Sequence, residues 1–340
     1  MVVDKRLLRI AAAVSGEVPG FSPHKWGHVA DENFLTVLIT DDTQRFLARY
    51  VPPEARAAVE TEHVAAAVMR SLMPQTSLVF PRIISRVPLE ISISSPAGGT
   101  ADPGEVHLSN ELPGRITDFQ GWEHSPNLCA SLADFLATLH TSDPGIIADA
   151  GLVVYDSSQC HDQLLADFDR GAQTGLIPSS LLNRWEHALE NRSLWRFLAA
   201  PVHGNLGEGA IYSENEKIVA VTDLTRLRVG DPAHDIAALA TVLSPEAFAI
   251  FLQHYEQYRG TDCHSVRTRS EVLAEMATLE WLLAAYDTKN EAELAEAQRL
   301  LEDLAGLLDE AALDETDYSS EYAISTVDTE PIGRRDPRHA

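Results

Sequence analysis

Three short stretches of this chain carry residue types that phosphate chemistry uses. Residues 203–211 read His-Gly-Asn-Leu-Gly-Glu-Gly-Ala-Ile, residues 221–224 read Val-Thr-Asp-Leu, and residues 230–237 read Gly-Asp-Pro-Ala-His-Asp-Ile-Ala. Phosphoryl transfer asks little covalent chemistry of a protein. It needs a group that orients and deprotonates the attacking hydroxyl, and oxygen ligands that hold magnesium on the phosphates. The carboxylates and the amide of these stretches are groups of that kind.

Together the three stretches resemble the core signature of aminoglycoside phosphotransferases and choline kinase-like small-molecule kinases. The catalytic loop of those proteins reads His-Gly-Asp-Leu-His-Pro-Gly-Asn-Ile, and the most specific match is the Gly-Asp-Pro series at 230–237. The family places a metal-binding Asp after this loop, at the end of a hydrophobic strand, where Asp223 stands. The resemblance extends from about Phe21 to Leu308 and implies ATP and Mg²⁺ as cofactors.

Two positions depart from the family pattern. Asn205 occupies the position of the catalytic Asp, and Ala210 occupies that of the metal-binding Asn. A neutral amide accepts no proton near neutral pH, so loss of the base should cost roughly 10²–10⁴-fold in rate. The methyl group of an alanine cannot ligate a metal.

The resemblance gives the neighbouring residues supporting roles. Asp223 keeps the identity of a nucleotide and metal ligand, or it is a strand-end Asp that caps a turn. Glu208 either replaces the lost carboxylate as base or metal ligand, or it is a solvated loop glutamate. Asp235 falls where the family has a structural Asp that hydrogen-bonds the loop backbone, and His203 is also expected to be structural.

In the family, an Arg or Lys on the third strand pairs with a Glu on the following helix and touches the nucleotide phosphates. Arg49 and Glu62 fit these places, with Glu60 as the alternative glutamate, although single surface charges would give the same pattern. The phosphate-covering loop should lie at 26–33, where one glycine and two acidic residues make a poor cradle for an anion. A Pro-Gly turn at 112–115 resembles the one after the hinge strand. It would put adenine near Ile93 and Glu111.

The elements that must position these residues change character along the chain. The N-terminal part is strand-rich around one helix at 54–72, and from Asn127 onward nearly every regular segment has helical spacing of apolar residues. Two sets of extended segments are predicted, an N-terminal hairpin with two further strands and an island within the helical part: 34–39, 45–51, 78–84, 89–93, and then 201–203, 210–212 and 218–223.

These patterns predict an α+β protein with the bilobal protein-kinase-like fold: a small β-sheet N-lobe and a larger, mainly helical C-lobe. The N-terminal lobe would comprise 1–110, on the nucleotide-binding side. The helical lobe with the catalytic-loop insert would comprise 111–309. Residues 310–340 lose hydrophobic periodicity and gather acidic residues, Ser, Thr and Pro, which predicts a disordered tail.

Composition narrows the function further. The formal net charge of -25 would repel a phosphate backbone or an anionic membrane, so neither nucleic acid nor a membrane is expected as a partner. Three cysteines without paired short spacing predict neither a zinc site nor a disulfide framework. No segment has the roughly 20 apolar residues that span a bilayer. A cytoplasmic location is expected.

Three interpretations remain, one of which is an unrelated helical binding protein that shares the Gly-Asp-Pro turn by accident. The other two are functions from different classes. The first is a pseudokinase that binds a nucleotide, a metabolite or a protein partner with weak or lost phosphoryl transfer. The alternative is an active ATP-dependent kinase that phosphorylates a hydroxyl group of a small cationic or sugar-like ligand. Acidic residues where the family has its substrate-binding helices form a solvated face or a cation site: Asp156, Asp162, Asp167 and Asp169.

Overall fold

The computed structural model describes residues 4–29, 34–91, 102–207, 209–259 and 264–323, with only the backbone course for 309–323. The described chain has an antiparallel sheet in its N-terminal part and is mostly helical beyond it, which confirms the predicted α+β class. No helix in the described ranges is long and apolar enough to cross a membrane.

The strands are β1 (Lys25–Val29), β2 (Leu35–Thr40), β3 (Arg45–Val51), β4 (Ile83–Ile91), β5 (Asp102–Asn110), β6 (Arg115–Ile116), β7 (Ala200–Val202), β8 (Ile211–Glu214), β9 (Lys217–Val221) and β10 (Arg228–Gly230). The helices are α1 (Lys5–Val14), α2 (Arg56–Leu72), α3 (Pro126–Thr141), α4 (Gly145–Asp149), α5 (Ser157–Thr174), α6 (Ser179–Glu190), α7 (Ala233–Val242), α8 (Pro245–Arg259), α9 (His264–Thr288) and α10 (Glu291–Ala323).

The N-terminal sheet has the strand order β1-β2-β3-β5-β4 and is antiparallel throughout. Side chains alternate between its two faces, because successive residues of a strand point to opposite sides. One face is apolar and packs with α1 in a single buried cluster, whose members include Leu7, Ile10, Val37, Tyr50 and Leu108. Charged residues of the opposite face contact α2.

The predicted hairpin at 34–51 is confirmed, because β2 and β3 pair directly. Two other strand predictions are wrong. The segments 78–84 and 89–93 do not form two strands; one strand, β4, spans Ile83–Ile91, and Val79 makes only an isolated bridge to Ala220. Strand β5 was not predicted, because it begins Asp-Pro-Gly, a sequence typical of turns.

Two small sheets carry the island of extended segments. β8 and β9 form a hairpin that pairs with β6, and β7 pairs with β10. The loop between β7 and β8, residues 203–210, is called the 203–210 loop below.

The chain divides into two compact units. The first comprises Met1–Asp162 and Arg192–Ala274 and contains every strand and the 203–210 loop. The second comprises Gln163–Asn191 and Glu275–Ala340, in which Arg184 and Glu275 pair at 2.7 Å. Helix α10 extends to Ala323, into the predicted tail. The predicted lobe boundaries at 110 and 309 stay predictions.

Candidate functional site

A buried carboxylate fixes the start of the 203–210 loop. Asp235, in the first turn of α7, accepts the backbone N–H of His203 at Oδ2 and that of Gly204 at Oδ1, both at 2.8 Å. Burial raises the pKa of Asp235, but the hydrogen bonds from His140 and from the backbone N–H of Gly204 outweigh burial and lower it to about 2. Asp235 is therefore an ionised acceptor that holds the loop backbone.

Two residues that sequence reasoning missed support Asp235 from behind. His140 on α3 places Nε2 3.1 Å from Asp235 Oδ2, and its Nδ1 lies 2.8 Å from the hydroxyl of Tyr255 on α8. All three side chains are buried. A polar residue on the apolar face of α3 was the only signal in the sequence, because its partners lie 95 and 115 residues away.

His203 is held as a neutral imidazole. Its Nε2 lies 2.9 Å from the carbonyl oxygen of Thr222 and must donate to it, while Nδ1 accepts the backbone N–H of Asn205 at 3.3 Å. Burial lowers the pKa of His203, in keeping with a single ring proton. Both ring nitrogens are thus bound to backbone groups, and neither is available for acid–base work.

The amide that we predict to stand at the position of the family's base contacts Asp223, the predicted metal ligand, directly. Asn205 donates Nδ2–H to Asp223 Oδ2, and Asp223 Oδ1 accepts the Thr225 hydroxyl at 3.4 Å. Asp223 follows β9 and has left-handed backbone angles, φ 59° and ψ 49°, which are uncommon for a residue other than glycine. The structure therefore brings Asn205 and Asp223 together.

Ala210 is buried in the turn that leads into β8. Its backbone accepts the N–H of Thr222 at 2.9 Å and donates to the carbonyl of Gly207 at 3.2 Å, so only its methyl group remains. That group can hold no cation. Glu208, the predicted alternative carboxylate, lies outside the described residues.

A second buried ion pair stabilises the Gly-Asp-Pro turn. Arg269 on α9 donates from Nε and Nη2 to Asp231, at 2.7 and 3.0 Å. The guanidinium carbon of Arg269 also lies 4.4 Å from the centroid of the Phe197 ring. Both charged side chains are almost fully enclosed. The sequence motif pointed to Asp231, but no pattern pointed to Arg269.

In the N-terminal sheet, Arg49 on β3 contacts Glu62 on α2, with 3.2 Å between Nη1 and Oε2. The alternative glutamate, Glu60, contacts Arg86 on β4 at 2.7 Å instead. The geometry therefore selects Glu62 as the partner of Arg49. Their contact with nucleotide phosphates stays a prediction.

The other N-terminal predictions fare unevenly. Residues 26–29 belong to β1 and pair with β2, so the part of the predicted phosphate loop that is described is strand. Residues 30–33 and Ile93 lie outside the described residues. Glu111 forms an ion pair with Arg45 that includes an Nη2–Oε1 contact of 2.8 Å, so its carboxylate is engaged by a side chain of the sheet.

Comparison with known proteins identifies the family of this chain. The family model described as the phosphotransferase enzyme family, APH, matches residues 28–272. The chain belongs to this family. A similar curated protein is the uncharacterized protein YcbJ of Bacillus subtilis strain 168, 27% identical over 143 residues, which are 41% of this chain and 46% of that protein. The match thus spans less than half of the relative's length.

Solved structures of phosphotransferases share the fold of this family member. The apoenzyme of macrolide 2′-phosphotransferase MphH from Brachybacterium faecium superposes with a TM-score of 0.67 at 21% identity, over 88% of this chain and 98% of that one. An aminoglycoside phosphotransferase in complex with GDP and kanamycin gives 0.66 at 14% identity, over 87% and 98%. The predicted protein-kinase-like fold is confirmed.

The described residues fit a magnesium ion poorly for a phosphotransferase. Magnesium prefers oxygen ligands, and the described chain contains no group of three His, Cys, Asp or Glu side chains that could hold a metal. Asp223 is a single carboxylate, one oxygen of which receives the Asn205 amide hydrogen, and Ala210 adds no ligand. Within the described ranges, the predicted Mg²⁺ site thus retains one carboxylate.

The acidic residues where the family binds substrate have local partners or face solvent. Asp156 accepts the N–H of Gln159 at 2.9 Å, as residues at helix starts do, and Asp167 lies 3.6 Å from Arg170. Asp162 and Asp169 are exposed. This pattern favours a solvated face over a cation site.

Proposed function

We propose that this member of the phosphotransferase family is a pseudokinase, which binds a nucleotide, a metabolite or a protein partner and transfers phosphoryl groups slowly or not at all. The observation that carries the proposal is the hydrogen bond from the Asn205 amide to the Asp223 carboxylate. The side chain expected to accept a proton, at position 205, is a hydrogen-bond donor here. It donates to Asp223, the carboxylate expected to hold the metal.

The two substitutions act on different parts of the reaction. An amide in place of the base costs roughly 10²–10⁴-fold in rate, because it cannot take the hydroxyl proton. The methyl group of Ala210 removes a metal ligand, which weakens the charge stabilisation on which phosphoryl transfer depends most. Replacing Asn205 alone therefore leaves the second defect in place.

The Arg49–Glu62 pair favours a second candidate, an active small-molecule kinase. In the family such a pair belongs to a nucleotide site, and here it is formed, as is the anchoring of the loop by Asp235. Positioning supplies much of phosphoryl-transfer catalysis, so turnover can survive a lost base. The solved GDP and kanamycin complex of a phosphotransferase of this fold supports a nucleotide and a sugar-like, cationic molecule as ligands.

Thermal unfolding with and without ligand tests nucleotide binding. A ligand that binds only the folded state raises the midpoint by mass action even when no chemistry follows. We expect millimolar ATP to raise the midpoint, and a further rise with Mg²⁺ if Asp223 still holds the cation. No shift with either would overturn nucleotide binding and leave a metabolite or protein partner.

Activity is tested with the double variant Asn205→Asp, Ala210→Asn, which restores both family residues. We expect no ATP hydrolysis from the wild type and slow hydrolysis from the double variant, with each single variant as a control. Wild-type turnover equal to that of the double variant would instead establish the active kinase. The cytoplasmic location expected from the sequence stays a prediction.

A further inference from the structure

Arg228 is the one residue beside the 203–210 loop whose charge has no counterpart in the described structure. It begins β10 and is paired in register with Val202, the last residue of β7 before the loop. Its side chain is half-buried. Nη1 donates to the backbone carbonyl of Arg226 at 3.2 Å, and this contact is solvent-exposed.

The guanidinium lies against the loop backbone. Gly204 has a φ of 76°, and a Cβ added there would overlap Nη1 of Arg228 and stand 2.6 Å from the carbonyl oxygen of Arg226. At Gly230 an added Cβ would come within 3.4 Å of Arg228 Nε. The distance at Gly230 is an ordinary contact, so Gly204 is the glycine that leaves the space the arginine occupies, one residue from Asn205.

Each of the described carboxylates near the loop has other partners. Asp235 binds the loop backbone and His140, Asp231 binds Arg269, and Asp223 binds Asn205 and Thr225. Asp156 and Arg228 both act electrostatically on the Cys160 thiol. Asp156 accepts the N–H of Gln159. Among the described residues Arg228 forms no ion pair with any carboxylate.

This arrangement is unusual in a chain with 51 acidic and 26 basic residues, where carboxylates are abundant. A guanidinium that is partly removed from water gains a strong charge-assisted interaction when an anion completes its hydrogen bonds. Asn205, one residue from Gly204, is a neutral amide. Among the described residues no group supplies the compensating negative charge, which leaves this place open to an anionic ligand.

We propose that Arg228 is an anion-recognition residue that binds a phosphate or carboxylate group of the molecule held at the 203–210 loop. The guanidinium offers a planar fork that matches two oxygens of such a group. The inference deepens the proposed function in that it treats the loop as a ligand site, but it needs neither ATP nor a metal. It points to an anionic second ligand or to a nucleotide phosphate, and not to a purely cationic substrate.

The experiment titrates inorganic pyrophosphate, without divalent cation, into the wild-type chain and into Arg228→Gln, and follows the unfolding midpoint and calorimetric binding. We expect Arg228→Gln to weaken the apparent Kd about 10- to 100-fold, as loss of a charge-assisted hydrogen bond implies. The matched control is Arg9→Gln, the same charge change at an exposed position of α1, which should bind as the wild type does. Arg228→Lys keeps the charge without the fork and should be intermediate.

Two comparisons distinguish binding at Arg228 from a general effect of the anion on stability. General stabilisation by a strongly hydrated anion acts on every variant alike, so equal shifts in Arg228→Gln and Arg9→Gln would overturn the proposal. If Arg228→Gln does not fold, Arg228→Lys with wild-type affinity would overturn it as well. Repeating the titration with saturating ADP shows which molecule provides the anion. If ADP competes with pyrophosphate, Arg228 binds a nucleotide phosphate; if pyrophosphate binding is undiminished, Arg228 binds a second ligand. Failure of ATP to bind would contradict the nucleotide proposal alone.

Discussion

The two ends of the 203–210 loop differ in what holds them. At the His203–Gly204 end, an ionised carboxylate that is enclosed from solvent receives two backbone N–H groups and a histidine. At the other end, Asn205 and Ala210 stand where we predict the reactive residues of the family, and Asn205 binds Asp223. The difference shows that the residues that shape this loop are separate from those that would react on it.

Removing the anchor should have the largest effect. Asp235→Ala leaves two backbone donors and His140 without their acceptor in the core, and we expect a loss of about 3–5 kcal/mol in the free energy of unfolding. Urea denaturation at pH 7 measures it. Asn205→Ala is the matched change at the reactive end and should cost about 1 kcal/mol or less. Equal costs for the two variants would break the distinction between the two ends.

The charged face of the N-terminal sheet packs against α2, where the protonation of one histidine should affect stability. Burial, with the charges of His107 and Arg86, lowers the pKa of His63 from 6.5 to about 4. The ring lies 5.1 Å from that of His107. Charged groups on the surrounding elements are those of α2, β3, β4 and β5, namely Glu60, Glu62, Arg49, Arg86, Glu105 and His107.

This lowered pKa predicts acid sensitivity. Between pH 6.5 and 4 the unfolded chain binds the His63 proton and the folded chain does not, so stability present above pH 6.5 is lost as the pH falls. The loss should be about 1–3 kcal/mol. Unfolding midpoints of His63→Gln should therefore depend less on pH in this window than those of the wild type. His28→Gln, on exposed β1, serves as control and should leave the wild-type profile unchanged.

An acid restored at position 205 should destabilise this end of the loop. Asn205→Asp replaces a hydrogen-bond donor to Asp223 by a second carboxylate, and like charges at this distance repel. We expect a loss of about 1–2 kcal/mol in unfolding free energy without divalent cation. Magnesium should recover part of the loss in this variant and have no such effect on the wild type. An Asn205→Asp variant as stable as the wild type in EDTA would contradict the contact with Asp223.

The smallest stability effect is expected at the sheet pair. Arg49 and Glu62 are partly exposed, with 32% and 17% of their side chains accessible, and such pairs contribute about 1 kcal/mol or less. Glu62→Gln should therefore leave the unfolding midpoint nearly unchanged while reducing the shift produced by ATP. Glu60→Gln, which alters the Arg86 pair on the same helix, should leave both unchanged. An ATP shift that survives Glu62→Gln would remove this pair from the nucleotide site.

Local patterns were enough to predict much of the framework. The β2–β3 hairpin follows from β-branched residues around a turn, and α2 from helix formers bounded by prolines. The identity of the 203–210 loop came from short motifs whose residues are adjacent in sequence. Its two substitutions could be stated before any coordinates, because a missing carboxylate or amide is visible in the residue type alone.

What could not be predicted depends on residues far apart in the chain. His140, Tyr255 and Arg269 are single polar residues in helices, and only folding shows that they meet Asp235 and Asp231. The choice between Glu60 and Glu62 depends on the rotation of α2 above the sheet. β5 was missed because its paired position between β3 and β4 outweighs the turn-forming residues at its start.

The support of Asp235 by His140 and Tyr255 also concerns the order in which the chain folds. Contacts that span 95 and 115 residues close large loops, and their entropic cost must be met before they stabilise anything. We therefore expect the loop to take its final form only after α3, α7 and α8 have packed. Asn205 takes no part in those contacts, so we expect a change there to alter the speed of folding less than a change at Asp235.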